Sequence, residues 1–416
     1  MTVTAERTGA ATASTTADAV VTGIGVSAPN GFDTAEYWAA VLRGHSGIAE
    51  LTRFDPAQYP VRLVGEVPDY DVAARIPGRL VPQTDQTTRL ALIAMEKALA
   101  DAAVELSALP PDQVGVVTGN SVGGLEFSQR ELQKLWSLGG KHVSAYLSFA
   151  WFYAVNTGQI SIRHGLRGPG GVLTGHTGGL DAIVHARRYI RDGLPLAVSG
   201  AVDSSLCPLG WVAELTTGRM STVADPDRAY LPFDTAASGH VVGEGGAILI
   251  VESMESARRR NAKVYGAIAG YGTTFDPPPG SAREPGLRRA IETALRDAGI
   301  TAAEVDVVFA DAAGVPALDA AEADAVRAVF GSRGVAVTAP KTMTGRLHSG
   351  GPALDAATAL LSIRDAVIPP TINVRLPNPD YELDLVLDTP RHGPVRTALV
   401  LSRGDGLNSA LVLTAV

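Results

Sequence analysis

Short, almost wholly apolar runs alternate along the chain with longer stretches of helical character. AVVTGIGVSAP (19–29) reads as a strand, TRLALIAMEKALADA (88–102) as a helix, and QVGVVTGN (113–120) as a strand again. Strands that look uniformly apolar are covered on both faces, so the alternation predicts an α/β fold with buried strands. In such folds functional groups gather at the C-terminal ends of strands and at helix N-termini.

The pattern also repeats. TGHTGGLDAIVHARRYIRD (174–192) and TGRLHSGGPALDAATALLSIRD (344–365) share TG, GG, LDA and IRD in the same order. DQVGVVTGNSVGG (112–124) parallels AEVDVVFADAAGV (303–315), and GGAILIVE (245–252) parallels NSALVLTAV (408–416). Three matches in one order predict a duplication, with an N-terminal half over 19–262 and a C-terminal half over 263–416. Each half is expected to sandwich a sheet between helices.

Composition narrows the class. With 416 residues, 46% of them hydrophobic, the chain can bury a large core. Lys plus Arg is 35 against 43 for Asp plus Glu, a net charge of −8 with no basic block, which argues against nucleic acid as a partner. Residues 1–18 are small and polar and lack the apolar segment of a signal peptide, so a disordered tail is expected there. No apolar run approaches the roughly 20 residues that span a bilayer. Cys207, the single cysteine, excludes an internal disulfide and any cysteine-based metal cluster, and the expected location is the cytoplasm.

The segment GVLTGHTGGLDAIVHARRYI (171–190) has the order strand, glycine-rich turn, helix, on which many enzymes mount a nucleophile. The residue at the turn is His176, a poor covalent nucleophile. Together with SFAWFYAVNTGQISIRHGLRGPGG (148–171), YLPFDTAASGHVVGEGGAILIVE (230–252) and VTAPKTMTGRLHSGG (337–351), this elbow resembles the β-ketoacyl synthases of type II aromatic polyketide pathways. Within them it is most similar to the chain-length factor, the ketosynthase β subunit. The resemblance covers nearly the whole chain and implies the thiolase-like fold, a duplicated α/β unit stacked as a five-layer α-β-α-β-α sandwich.

Active ketosynthases carry cysteine at the elbow, whose thiolate takes the growing acyl chain, and two histidines that assist decarboxylation and stabilise charge on the reacting carbonyl. At the matching positions this sequence has His176, Asp311 and Arg346. An imidazole, a carboxylate and a guanidinium brought close would form a hydrogen-bonded, ion-paired cluster filling the former site. Lys341 and Glu322 match residues that support the site in active relatives and are expected to hold the scaffold. Chain-length factors usually have Gln at the elbow, so His176 leaves open a residual acid or base role.

The resemblance further implies a pseudo-symmetric heterodimer with a ketosynthase α subunit, with the chain growing from the partner's cysteine into a tunnel along the interface. The substrate would arrive on the phosphopantetheine of an acyl carrier protein, and no cofactor or metal is expected on this chain. Leu125, Ser128 and Leu132 fall on one helical face and, with Phe149, match tunnel-lining positions. Ser128 is small and Leu132 stands where some relatives have Phe, which implies a tunnel at least as long as that of octaketide makers. The rival reading is an autonomous malonyl-carrier decarboxylase or acyltransferase using His176 and Asp311. A third is a scaffold whose tunnel has no role.

Other features have plainer readings. Cys207 follows an apolar strand and is expected in the core. RGD at 403–405 reads as a turn. The glycines of GHVVGEGG (239–246) lack the Lys-Ser/Thr of a phosphate-binding loop and are expected to form a tight turn.

Overall fold

The computed structural model describes residues 19–278 and 280–416; the tail expected over 1–18 lies outside the described residues. Ten strands carry the architecture. In the N-terminal half they are β1 (Ala19–Ser27), β2 (Val114–Gly119), β3 (Gly170–Leu173), β4 (Leu196–Asp203) and β5 (Gly245–Ser253). In the C-terminal half they are β6 (Gly266–Phe275), β7 (Val307–Phe309), β8 (Ala336–Thr338), β9 (Thr397–Gly404) and β10 (Leu407–Thr414).

The halves share one five-strand order, and the C-terminal set adds an edge strand, Asp384–Leu385, parallel to β8. The N-terminal order is β3-β2-β4-β5-β1 and the C-terminal order β8-β7-β9-β10-β6. In each, the first three strands run parallel and the last two pairings are antiparallel. The two sets meet where β1 and β6 pair at Val20↔Ala267 and Val21↔Gly266. The repeats seen in the sequence fall at equivalent places: 112–124 and 303–315 hold β2 and β7, and 245–252 and 408–416 hold β5 and β10.

Helices fill the layers. α1 (Gln86–Ala102) and α3 (Val155–His164) cover the outer face of the N-terminal sheet, around Leu90, Ile93, Met95 and Ile160. α2 (Leu125–Leu138) lies nearer the surface. α4 (Gly178–Arg191) packs on β2 and β4. α5 (Leu287–Ala298) and α6 (Pro316–Phe330) cover the outer face of the C-terminal sheet. α7 (Gly350–Asp365) is buried continuously from Gly350 to Ser362 and touches both sheets and α4. A helix buried on every side is what a central layer requires. The result is the five-layer, thiolase-like sandwich, with α4 and α7 at its centre.

Strands such as β4, buried at all eight positions, explain why the sequence shows apolar runs rather than alternation. One local expectation is corrected: GHVVGEGG does not form a tight turn. It runs into extended backbone, Val242–Gly243 beside Leu63–Gly65 and then β5, because the sheet takes up its main-chain hydrogen bonds. RGD does stand at a turn, the β9–β10 hairpin, with Asp405 and Gly406 at φ 52° and 80°. That is the two-residue hairpin geometry for which Asp-Gly is favoured. No helix among the described residues is long and apolar enough to cross a membrane.

Candidate functional site

The two central helices aim their N-termini at one place. Residues 174–177 link β3 to α4 and carry His176, while residues 344–349, ahead of α7, carry Arg346 and His348. A cavity of about 370 Å³ opens there, and His176, Asp311 and Arg346 all line it. The fold therefore gathers the three sequence-predicted residues around one space.

Two of them are directly paired. Arg346 Nη2 donates to both carboxylate oxygens of Asp311, at 3.0 and 3.1 Å, and Nη1 donates to the Asp311 carbonyl at 2.6 Å. Asp311 Oδ1 also accepts from the Arg403 amide at 2.9 Å. Burial alone would raise the Asp311 carboxyl, but the charges of Arg346 and Lys341 outweigh it and hold the group at about 2. Burial likewise opposes the charge on Arg346, and the Asp311 carboxylate more than compensates. The pair stays ionised across the physiological range.

Lys341 and Glu322 grip the main chain beneath. Lys341 Nζ donates to the carbonyls of Ala310 and Asp311 at 2.8 and 3.1 Å and pairs with Asp355 at 2.7 Å. Glu322 accepts from the amides of Asp311 and Ala312 at 2.7 and 2.8 Å. Burial, reinforced by the charge of Asp311, pushes Glu322 up to about 7.

His176 stands apart from this pair, so the expected three-member cluster is corrected to two members. Among the described residues no hydrogen bond joins the imidazole to Asp311, whose carboxylate is taken up by Arg346 and the Arg403 amide. Its ring stacks instead on His348, 5.9 Å between centroids and 26° between planes, and its Nε2 lies 3.7 Å from Asp405 Oδ2. Burial, then the neighbouring His348 and Arg346, push the His176 pKa down, so the ring is neutral at neutral pH. The dyad of His176 with Asp311 required by an autonomous decarboxylase is not formed.

Close packing fixes the elbow. A Cβ on Gly404 would sit 2.4 Å from the His176 Cβ, so the β9–β10 hairpin approaches the elbow as closely as a side chain on one of them allows. His348 accepts or donates at Nε2 to Ser205 Oγ at 2.9 Å, and burial lowers its pKa. His240, also at the cavity, is pushed down to about 3 by burial and by Arg346. The imidazoles near this cavity are therefore neutral.

His348, His240 and Asp405 also stand at the site, though the sequence singles out none of them as a candidate site residue. His348 lay in plain view two positions beyond Arg346, and a motif-by-motif comparison could have found it. Asp405 reaches the site only because the hairpin folds back. Cys207 is buried outside the cavity lining; its thiol, pushed up to about 11 by burial, accepts from the Gly210 amide at the start of the helix Pro208–Thr216. It is no displaced nucleophile.

Leu125, Ser128 and Leu132 are half-buried on α2, and Phe149 is half-buried in the short helix Leu147–Ala150 that packs against α2. None of the four lines the cavity at His176. Among the described residues no group of three or more His, Cys, Asp or Glu could hold a metal ion.

Sequence models of the beta-ketoacyl synthase N-terminal and C-terminal domains match residues 16–257 and 265–375. The chain is 57% identical over 397 residues to the actinorhodin polyketide putative beta-ketoacyl synthase 2 of Streptomyces coelicolor, covering 95% of this chain and 98% of that protein. It is 58% identical over 401 residues to the tetracenomycin polyketide synthase ketoacyl synthase beta subunit of Streptomyces glaucescens, with the same coverage. Among solved structures, the ishigamide ketosynthase/chain length factor superposes with a TM-score of 0.87 at 28% identity, covering 96% of this chain and 99% of that one. A type II polyketide synthase acyl-carrier protein in complex with its ketosynthase bound to the hexaketide matches with a TM-score of 0.85 at 26% identity, again over 96% of this chain and 99% of that one.

Proposed function

The chain belongs to the beta-ketoacyl synthase family, and from that premise we propose that it is the non-catalytic, length-setting subunit of a type II polyketide synthase. It pairs with a ketosynthase α subunit that elongates a poly-β-ketoacyl chain from malonyl units on an acyl carrier protein. The observation that carries this reading is the elbow. His176 replaces the thiol that would hold the acyl chain, and the Arg346–Asp311 ion pair faces it across the cavity. An imidazole has no thiol to form a thioester, and an acyl group on its nitrogen would be labile, so carbon–carbon bond formation belongs to the partner's site.

The surface supports partnership. Trp136 is 78% exposed, and Trp151 and Phe152 are each 47% exposed, in the segments that also hold α2 and the short helix after it. Aromatic side chains left in water over such a stretch favour a protein partner. Among the described residues β3 is the last strand of the sheet and pairs with β2 alone, its outer edge unpaired. Leu125, Ser128, Leu132 and Phe149 lie beside this apolar surface and are read as the wall this subunit gives to the polyketide tunnel. The phosphopantetheine of the carrier brings the substrate, and this chain needs no cofactor of its own for that role.

The test is a reconstitution. The purified chain, given malonyl-loaded acyl carrier protein, should show no turnover until an α subunit is added. Decarboxylation by the chain alone that is lost in His176→Ala would instead establish an autonomous decarboxylase.

A further inference from the structure

Asp85 stands at the N-terminus of α1 and is buried, 3% exposed. Its Oδ1 accepts from the Thr87 amide at 3.0 Å, the bond by which a cap residue satisfies its own helix. Its Oδ2 accepts from the Phe127 amide at 2.7 Å. Phe127 is the third residue of α2, whose own cap position is Gly124, with no side chain to offer. One carboxylate therefore caps two helices, and the partial positive charge of both N-termini converges on it.

The two helices differ in how firmly they are held. α1 is buried along most of its length against β1 and β5. α2 buries only Phe127 and Glu131, so polar anchors carry much of its placement. Glu131 accepts from the Ser144 amide at 2.7 Å, and Gln129 Oε1 accepts from the Leu209 amide at 2.6 Å. The turn entering α2 is tight: a Cβ on Gly124 would meet the Ala150 carbonyl at 2.0 Å and Asp85 Cβ at 3.2 Å. Ala150 directly follows Phe149, so the same turn abuts both groups of proposed tunnel residues.

We propose that Asp85 is a positioning residue for product length, tying the helix that carries Leu125, Ser128 and Leu132 to the rigid core through a carboxylate shared by two helix ends. The inference rests on the reading of those residues as tunnel wall. Leu132 stands about 10 Å along α2 from its first residue, so a tilt of about 10° at the cap would move it by about 2 Å. That is on the scale of one two-carbon unit of the growing chain.

The test uses the full-length chain with its cognate α subunit, acyl carrier protein and malonyl donor. Asp85→Asn keeps the shape but offers one acceptor oxygen; with that oxygen kept by the Thr87 amide of its own turn, the NH2 faces the Phe127 amide and the α2 cap is lost. Expected are a broadened distribution of product lengths by mass spectrometry and amide exchange over 125–132 about five- to tenfold faster, with α1 little changed. A merely structural role would lower the yield of heterodimer without spreading the lengths. Should Asp85→Asn fail to assemble, Asp85→Ser keeps the α1 cap with an oxygen too short to reach Phe127, and the same result is expected of it. A single wild-type product length from the assembled variant overturns the inference. Ser128→Trp, run in parallel, separates the two failures. If it shifts the length while the Asp85 variants do not, only the role of Asp85 falls; if neither shifts it, the tunnel-wall reading falls as well.

Discussion

Arg346 and Asp311 are two charges placed in a buried pocket, each tolerable there only because of the other. Removing one partner leaves the other charge uncompensated, so Arg346→Met should destabilise the fold by about 3–5 kcal/mol. The double variant with Asp311→Asn should recover much of that loss, both read from denaturant unfolding. The pair also fixes an acid limb. Asp311 lies at about 2 against an ordinary 3.8, a depressed carboxyl, so its stabilisation is complete above about pH 4 and fades as the pH falls towards 2, about 2 kcal/mol in all. In Arg346→Met the loss of stability between pH 4 and 2 should flatten or reverse. Both residues were legible in the sequence because the family resemblance sets each at the position of a motif histidine. The stacking of His176 on His348 was not, since it depends on how residues 172 positions apart meet at two helix ends.

The elbow and the β9–β10 hairpin constrain each other at van der Waals range. Gly404→Ala should destabilise by about 1–3 kcal/mol through overpacking against His176. His176→Gly, which removes the obstructing Cβ, should relieve part of it, and a thermal-unfolding cycle of the two variants measures the coupling. Elements of this kind were partly readable. The apolar runs of β1 and β2 and the repeat of 174–192 in 344–365 gave the strands, the central helices and their equivalence, because burial on both faces leaves a compositional trace. The extended course of GHVVGEGG is not legible, since glycines demanded by close packing and glycines demanded by a turn look alike in one dimension. Asp85 could be read as a helix cap from its place before α1, but its second role at Phe127 spans 42 residues and leaves no local pattern.

At the scale of the whole molecule, the surface that would receive the partner was the least legible part. Trp136, Trp151 and Phe152 carry the same apolar signal as core residues, and only the fold reveals that they stay in water. Their exposure beside α2 places the proposed tunnel wall where a second subunit would complete it. The most direct measurement is therefore the mass spectrum of the polyketide made by the reconstituted heterodimer when this subunit carries Ser128→Trp. A length-setting role predicts a product shorter by at least one two-carbon unit while the α subunit keeps its cysteine and its turnover. A product of unchanged length from the assembled, active pair would contradict it.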